Sequence, residues 1–396
     1  MAAAAPLTAP VRALTAEAQP GATNTPATTF ERKIKLGVIG CGGRGSWLAG
    51  LFHKHGGYQM HVLADYFQAR ADNLGQQLGV PPTNRFSTLS GYKRLLESGV
   101  EAVALEAPPC FYPEQVRAAV EAGLHVYVAK PVAVDVPGCL AIEAAARQAG
   151  EKKRCFLVDY QIPTDPHNLE VHKQIRAGAI GKVVGLHSYY IAPTRPDPAK
   201  GATIEDRLQR AWVNDVALGG SYHVCVCIHA VDAALWVAGT NPLSAVGVST
   251  IGRPDPHGDS HDLFSLTLEF PDGLLLNHRG KHIDDLAPVE NGCAVFGQTG
   301  HAHIGYQNQA FVRGPETAYR GSVDNLYEAG AVRNIASFYE QITAGDTTNP
   351  TVRRAVDSAL ATILGREAAR RRERLTWQHL LKENQRLEVD LKGLKT

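Results

Sequence analysis

Apolar positions along the chain follow two successive grammars. From Lys33, short apolar runs such as Ile34-Lys35-Leu36-Gly37-Val38-Ile39 and Gln59 to Ala64 alternate with segments whose apolar residues recur at helical spacing. The pattern predicts strand, glycine turn, helix through about His55 and strand, which is a βαβ unit. It continues with a helix near Leu89 to Glu97, a strand at Ala102 to Leu105 and a helix at Pro113 to Ala122. A strand at His125 to Val128 and a helix at Pro137 to Ala149 follow. Short strands alternating with helices imply a parallel, doubly wound sheet. After Cys155 to Val158 the strands lengthen: Val183 to Ile191, Leu243 to Thr250, and Leu263 to Phe270 followed by Pro271-Asp272-Gly273 and Leu274 to Leu276. The last two form a hairpin, and hairpins build antiparallel sheet. From Ala331 the chain reads as helical, with Arg370-Arg371-Arg372 as a solvated helix face.

The fold class expected is therefore α/β, with an N-terminal doubly wound parallel sheet and a C-terminal α+β domain on an open, largely antiparallel sheet. The expected division is an Ala/Pro/Thr-rich arm over 1–32, a first domain over 33–158 and a second over 159–396. The arm has almost no charge and no amphipathic period, so it cannot bury enough surface to offset its own ordering. Its composition fits a cytosolic extension as well as the remainder left when an export signal is removed, which leaves cytoplasm and periplasm both open.

Composition narrows the function classes. Of 396 residues, 44% are apolar and 20% charged, enough to build a large core. The 40 Lys and Arg against 39 Asp and Glu leave a net charge of +1, without the basic footprint of a general nucleic-acid binder. No uninterrupted apolar run approaches the roughly 18 residues that span a bilayer, so no membrane partner is expected. Seven scattered cysteines form no even disulfide framework.

Gly40-Cys41-Gly42-Gly43-Arg44-Gly45 fits G-x-G-x-x-G between a strand and a helix. In that context the first glycine permits a tight turn, the second lets backbone approach a pyrophosphate, and the helix N-terminus offers amide donors. Asp65 ends the next strand, where a carboxylate accepts hydrogen bonds from ribose hydroxyls and repels a 2′-phosphate. NAD is thus expected over NADP, with Arg70 nearby as the one opposing charge. In His223-Val224-Cys225-Val226-Cys227-Ile228-His229, histidines and cysteines alternate. A strand would spread those ligands over roughly 20 Å at about 3.3 Å per residue, and a regular helix would pair only residues such as Cys225 and His229, so no metal is expected.

Taken together, several ordered segments resemble the glucose-fructose oxidoreductase, inositol dehydrogenase and rhizopine-catabolism family (Gfo/Idh/MocA). They are the first glycine turn, Ala107-Pro108-Pro109, Gly123 to Pro131, Gly178 to Val183, Gly219-Gly220-Ser221 with His229-Ala230-Val231-Asp232, and Asn334 to Phe338. The resemblance implies a Rossmann domain followed by an α/β domain whose open sheet forms a homodimer or homotetramer contact. It implies hydride transfer to or from a sugar, polyol or glycoside. It makes Lys130 and His229 catalytic, His229 on the further ground that histidine ordinarily titrates near neutrality. It places Gly40, Cys41, Gly42, Gly43, Arg44, Gly45, Asp65, Ala107, Pro108 and Lys130 at the cofactor. Pro131 is a reasonable place for a cis peptide.

Two positions depart from the pattern: Ala129 replaces a glutamate before Lys130, and Cys225 stands where dehydrogenases of the family carry an aspartate. His223, Tyr222, Tyr160 and His282 are the side chains available to supply the missing group, and Tyr160, Asp165, His223 and Cys225 are the candidate substrate contacts. The departures keep an alternative open: tightly bound NAD that oxidises a ring hydroxyl transiently, so that elimination releases an aglycone and the net reaction is glycoside hydrolysis.

Overall fold

In the computed structural model, residues 30–396 are described. The arm expected over 1–32 lies outside the described residues as far as Thr29, and so does the choice of compartment that rested on it. The first sheet consists of β1 (Ile34–Ile39), β2 (Tyr58–Ala64), β3 (Arg85–Phe86), β4 (Ala102–Leu105), β5 (His125–Ala129) and β6 (Phe156–Asp159). All pairs are parallel, in the order β3-β2-β1-β4-β5-β6. Helices α1 (Gly43–His55), α2 (Gln68–Leu78), α3 (Gly91–Leu96), α4 (Tyr112–Glu121) and α5 (Val136–Glu151) connect them. Because both faces are covered, β4, β5 and β6 are buried at every position, and their sequences read as continuous apolar runs rather than alternation.

Helix α6 (Pro166–Arg176) leads into the second sheet, made of β7 (Val183–Ala192), β8 (Ser244–Thr250), β9 (Leu263–Glu269), β10 (Leu275–His282), β11 (Glu290–Gly297), β12 (His301–Gly305), β13 (Asn308–Arg313), β14 (Ala318–Val323) and the two-residue β15 (Leu375–Thr376). The order is β14-β13-β12-β11-β7-β10-β9-β8-β15, parallel only between β7 and β10. The expected hairpin is present, with Leu275 opposite Glu269 and Lys281 opposite Leu263. Its turn uses Asp272 and Gly273 at positive φ, 59° and 75°. Strands β11 to β14 were not anticipated, since runs such as Asn291-Gly292-Cys293-Ala294 carry little β-branched or aromatic signal.

Helices α7 (Ile228–Ala238), α8 (Leu326–Ala344), α9 (Thr351–Arg371) and α10 (Trp377–Glu383) complete the chain. Through Ala331, Ile335, Phe338 and Ile342, α8 packs into the core of the first sheet beside Phe52 and Tyr127. A cut at residue 158 therefore does not separate two independent cores; Arg32 to Thr396 forms one compact unit. Two expectations need correction. The helical run Val216–Ala238 is, by length and composition, apolar enough to cross a membrane, and 89% of its most apolar window is buried inside the protein. Of the three arginines, Arg371 is no solvated residue: it is bound by both oxygens of Glu383 at 2.8 Å, and Arg372 caps the helix at φ 57°.

Candidate active site

The glycine turn lies at the carboxyl edge of the first sheet, on a cavity of about 320 Å³. Gly40 has φ 95°, and a Cβ there would sit 2.5 Å from the Glu106 carbonyl carbon. A Cβ on Gly45 would sit 1.9 Å from the Gly40 oxygen, so the turn and the helix approach each other only through glycine. Gly43 has nothing within 4 Å of its absent Cβ, and Gly42 has only the Arg70 guanidinium. No side chain caps α1 and no acid stands in its first turn, so its amides and positive dipole end face the cavity uncompensated. These features fit a dinucleotide pyrophosphate.

Gly40, Gly42, Gly43, Arg44, Gly45, Asp65, Ala107 and Pro108 all line this cavity; Cys41 and Lys130 do not. Cys41 is 3% exposed and turns its thiol to the Ala64 carbonyl, so its place at the cofactor is corrected to a supporting one. Its amide donates to Asp65 Oδ2 at 2.7 Å, and the Phe67 amide donates to Oδ1 at 2.8 Å, which fixes the carboxylate at the cavity wall. Burial pushes the Asp65 carboxyl upward, opposed by those two amides and by Arg70. Arg70 spends a donor on the Gln209 carbonyl. At the far end the chain's last residues close over the cavity: the Lys395 carbonyl accepts from the Leu89 amide at 3.0 Å, and Leu391 and Thr396 join the lining.

Lys130 directly follows β5 and is joined to Pro131 by a cis peptide bond. Its Nζ donates to the Cys225 carbonyl at 2.6 Å, so the backbone, not the side chain, of the residue that replaces the family's aspartate holds the ammonium. Loss of water around the amine brings its pKa down to about 8; the nearby guanidinium groups of Arg44 and Arg195 act in the same direction. His229 stands beside it on α7, its ring 6.3 Å from Tyr160, 6.3 Å from Tyr190 and 5.2 Å from Tyr306. Burial first, then Lys130 and Arg44, hold the imidazole well below its ordinary range. The expectation that His229 titrates near neutrality is thus corrected: at neutral pH the ring is uncharged here, and Lys130 is the group with a pKa near the working range. Tyr190 and Tyr306, from β7 and the turn after β12, were missed, because nothing in their local sequence distinguishes them from strand and turn residues.

Other candidates have different employment. Asp165 accepts from the His167 and Asn168 amides, each at 3.0 Å, as the N-cap of α6, so its assignment as a substrate contact is corrected. The Tyr222 hydroxyl bonds to the carbonyls of Tyr190 and Lys281, and His282 stacks on its ring at 4.1 Å. His223 lies in the core, its ring 4.8 Å from Phe264 and 4.9 Å from His278. Residues His223–Cys227 form a π-helical turn, which places His223 and Cys227 beside His278 of β10. The spacing argument against a metal considered only residues within this segment, and His278, a third potential ligand from β10, lies outside it. Arg44, an unspecified position of the glycine motif, reaches Asp159 and Glu106, and Asp159 also accepts from Asn334 at 2.7 Å.

Two family models match consecutive parts of the chain: the oxidoreductase family with NAD-binding Rossmann fold over residues 34–158, and the GFO/IDH/MocA C-terminal domain over residues 168–303. The chain belongs to the Gfo/Idh/MocA family. Its Rossmann domain is of the NAD-binding kind. A myo-inositol dehydrogenase, Hyg17 of Streptomyces leeuwenhoekii, is 26% identical over 54% of this chain and 58% of its own length. A 2,7-anhydro-N-acetylneuraminate hydratase of Escherichia coli K12 is 23% identical over 61% of this chain and 60% of its own length. The match thus spans less than two thirds of these curated relatives. Among solved structures, the aldose-aldose oxidoreductase of Caulobacter crescentus superposes with a TM-score of 0.72 at 21% identity, over 87% of this chain and 100% of that one. A levoglucosan dehydrogenase solved with NADH and levoglucosan gives 0.73 at 16%, over 87% and 99%. At such identities the likeness is one of fold.

In this Gfo/Idh/MocA chain the position before Lys130 is Ala129, and β5 pairs with β4 so that Val128 stands opposite Leu105. Glu106 follows Leu105 on the cavity wall, its side chain 2% exposed and its Oε1 lacking a partner among the described residues. Burial raises its pKa to about 7, against the lowering effect of Arg44. A carboxyl that holds its proton more tightly folded than unfolded makes stability fall as pH rises from about 4.5 to about 7. Glu106→Gln keeps the neutral shape and removes that loss. We expect the variant to match the parent at pH 5 and to exceed it by about 2 kcal/mol at pH 8, from the worth of each shifted pKa unit. Urea midpoints at the two pH values check this; an equal fall in both proteins contradicts it.

Proposed function

We propose that this protein is an NAD-dependent oxidoreductase that moves a hydride between the nicotinamide and a secondary hydroxyl or ketone of a sugar, polyol or glycoside. The observation that carries the reading is Lys130. It stands at the carboxyl edge of β5, beside the glycine-lined cavity, with an amine tuned to about 8 and aimed by the Cys225 carbonyl. NAD supplies hydride acceptance and donation. Within the protein, Lys130 in its neutral form takes the proton from the substrate hydroxyl and returns it to the oxygen in the reverse direction. Neutral His229 offers a hydrogen bond to the same oxygen, and Tyr160, Tyr190 and Tyr306 form the aromatic wall that excludes water. Asp65 favours NAD, because its fixed carboxylate repels a 2′-phosphate.

A second reading has its own support. The closing of the C-terminal residues over the cavity favours retention of the nucleotide through turnover, which suits transient oxidation followed by elimination and aglycone release. Purified protein, with and without added NAD, is incubated with free sugars, polyols and chromogenic glycosides while nicotinamide absorbance and aglycone release are followed together. Reduction that needs added NAD, without aglycone, is the result expected of the first reading. Aglycone release without added NAD, from protein that yields nucleotide on denaturation, replaces it with the second. No turnover on any of these substrates overturns both.

The proposal extends to assembly. The second sheet leaves Val184, Val246, Val248, Leu275 and Phe296 between 38% and 53% exposed, an apolar set on a sheet face that suits contact with another copy, as dimer or tetramer.

A further inference from the structure

Beneath the second sheet lies a group of side chains that the hydride-transfer reading does not use. His223 and Cys227 come from the π-helical turn, and His278 comes from β10. One donor atom from each lies within 4.8 Å of the others, and the three residues are at most 1% exposed. Nδ1 of His223 and Nε2 of His278 have no hydrogen-bond partner among the described residues. Burying polar atoms without partners is unfavourable by roughly 1–3 kcal/mol each, so two such nitrogens on residues of one small cluster call for an occupant.

Three details shape the cluster for a cation. Ser188 Oγ bonds Nδ1 of His278 at 2.8 Å; a neutral ring with its proton on Nδ1 then presents a bare Nε2 lone pair, the orientation that outer partners impose on metal-binding histidines. Gly280, between His278 and His282 on the same face of β10, keeps the space open: a Cβ there would sit 2.8 Å from Cys227 Sγ and 3.6 Å from His278 Nε2. The π turn itself sets His223 and Cys227 side by side, four residues apart, where an unbroken run of strand would separate them.

We propose that His223, Cys227 and His278 bind one zinc ion per chain, as a structural site distinct from the Lys130 centre. Two imidazoles and a thiolate suit this borderline-soft cation, and the fourth tetrahedral position falls to water. Binding draws the donors together by up to roughly 1 Å, to the separations that metal–ligand bonds of about 2.0–2.3 Å require. The Cys227 thiol gives up its proton to solvent as the sulfur–zinc bond forms, so charge and atoms balance. Because all three ligands are at most 1% exposed, the ion enters as the chain folds and stabilises the folded state. It also pins the turn that carries the Cys225 carbonyl and leads into His229.

The test uses the full chain without a histidine tag. Protein folded with zinc and passed over chelating resin is assayed for metal by mass spectrometry. A second sample is unfolded in chelator and refolded with cobalt(II) for absorption spectroscopy. The expected result is about one zinc per chain and, with cobalt, an intense thiolate-to-metal band in the near ultraviolet beside tetrahedral visible bands. Cys227→Ala should lose that band and retain at least tenfold less zinc, while Cys293→Ala, at another buried cysteine, keeps both. Zinc content unchanged in Cys227→Ala overturns the proposal. So does metal-free parent protein, or a cobalt spectrum of the parent without the thiolate band, which decides the matter even where the variant fails to fold.

Discussion

Lys130→Ala lowers turnover at least a hundredfold and leaves NAD affinity within a few-fold of the parent. The loss follows from removing a positioned base, worth typically 10²- to 10⁴-fold. Binding is spared because the nucleotide cavity is lined by the glycine turn, Asp65 and Ala107-Pro108, and Lys130 contributes nothing to that lining. The same amine sets the pH profile. Desolvation lowers its pKa to about 8, and the neutral form is the base, so oxidation climbs with pH through that value and levels above it. Steady-state rates from pH 6 to 10, with nucleotide binding followed by fluorescence, check both parts. Near-parental turnover in Lys130→Ala removes the lysine from the reaction, and a profile flat across pH 8 removes it as the base.

Asp232→Ala unfolds the protein more readily, by about 2–4 kcal/mol. Asp232 is fully buried on α7, one turn beyond His229, and its Oδ1 accepts from Arg354 Nε and Ser358 Oγ, each at 2.8 Å, while Oδ2 is bound by the other arm of the same guanidinium. Truncation leaves Arg354, stacked over Trp236 at 4.9 Å, with a mostly buried charge and no partner, and such breakage is among the larger single-residue effects. Part of the cost is relieved because the Arg354 side chain is 20% exposed, which places the estimate below the full range for a dry pair. Urea denaturation at pH 7 measures it; a loss under about 1 kcal/mol shows that the clamp between α7 and α9 is dispensable. Since that clamp holds the helix of His229, turnover should fall with stability in this variant.

Much of the first sheet was legible because parallel strands and their crossover helices write their burial into local sequence. Ala102 to Leu105 came out at the same bounds, and His125 to Val128 fell one residue short of β5. The glycine turn was equally plain, since Gly40 and Gly45 hold positions that backbone contacts forbid to any larger residue. In the second sheet the hairpin of β9 and β10 was visible through its Pro-Asp-Gly turn, whereas β11 to β14 were not, because their stability comes from neighbours supplied by distant segments. At the site, Lys130 and His229 stood out through residue type and context. Tyr190, Tyr306, Glu106 and Asp159 did not, because each acts through a partner more than thirty residues away in the chain.

By itself, then, the sequence determined the alternation of strands and helices that builds most of the first sheet, the glycine-lined nucleotide turn with its Asp65, and the family to which the chain belongs, all of which depend on spacing and on residues close along the chain. Tertiary structure alone decided that Lys130 meets the Cys225 carbonyl, that His229 loses its neutral-pH titration, that α8 completes the core of the first sheet, and that His278 stands beside His223 and Cys227. The reason is physical: pKa shifts, ion pairs and ligand sets depend on which groups share a water-free volume, and that volume exists only once distant segments have packed.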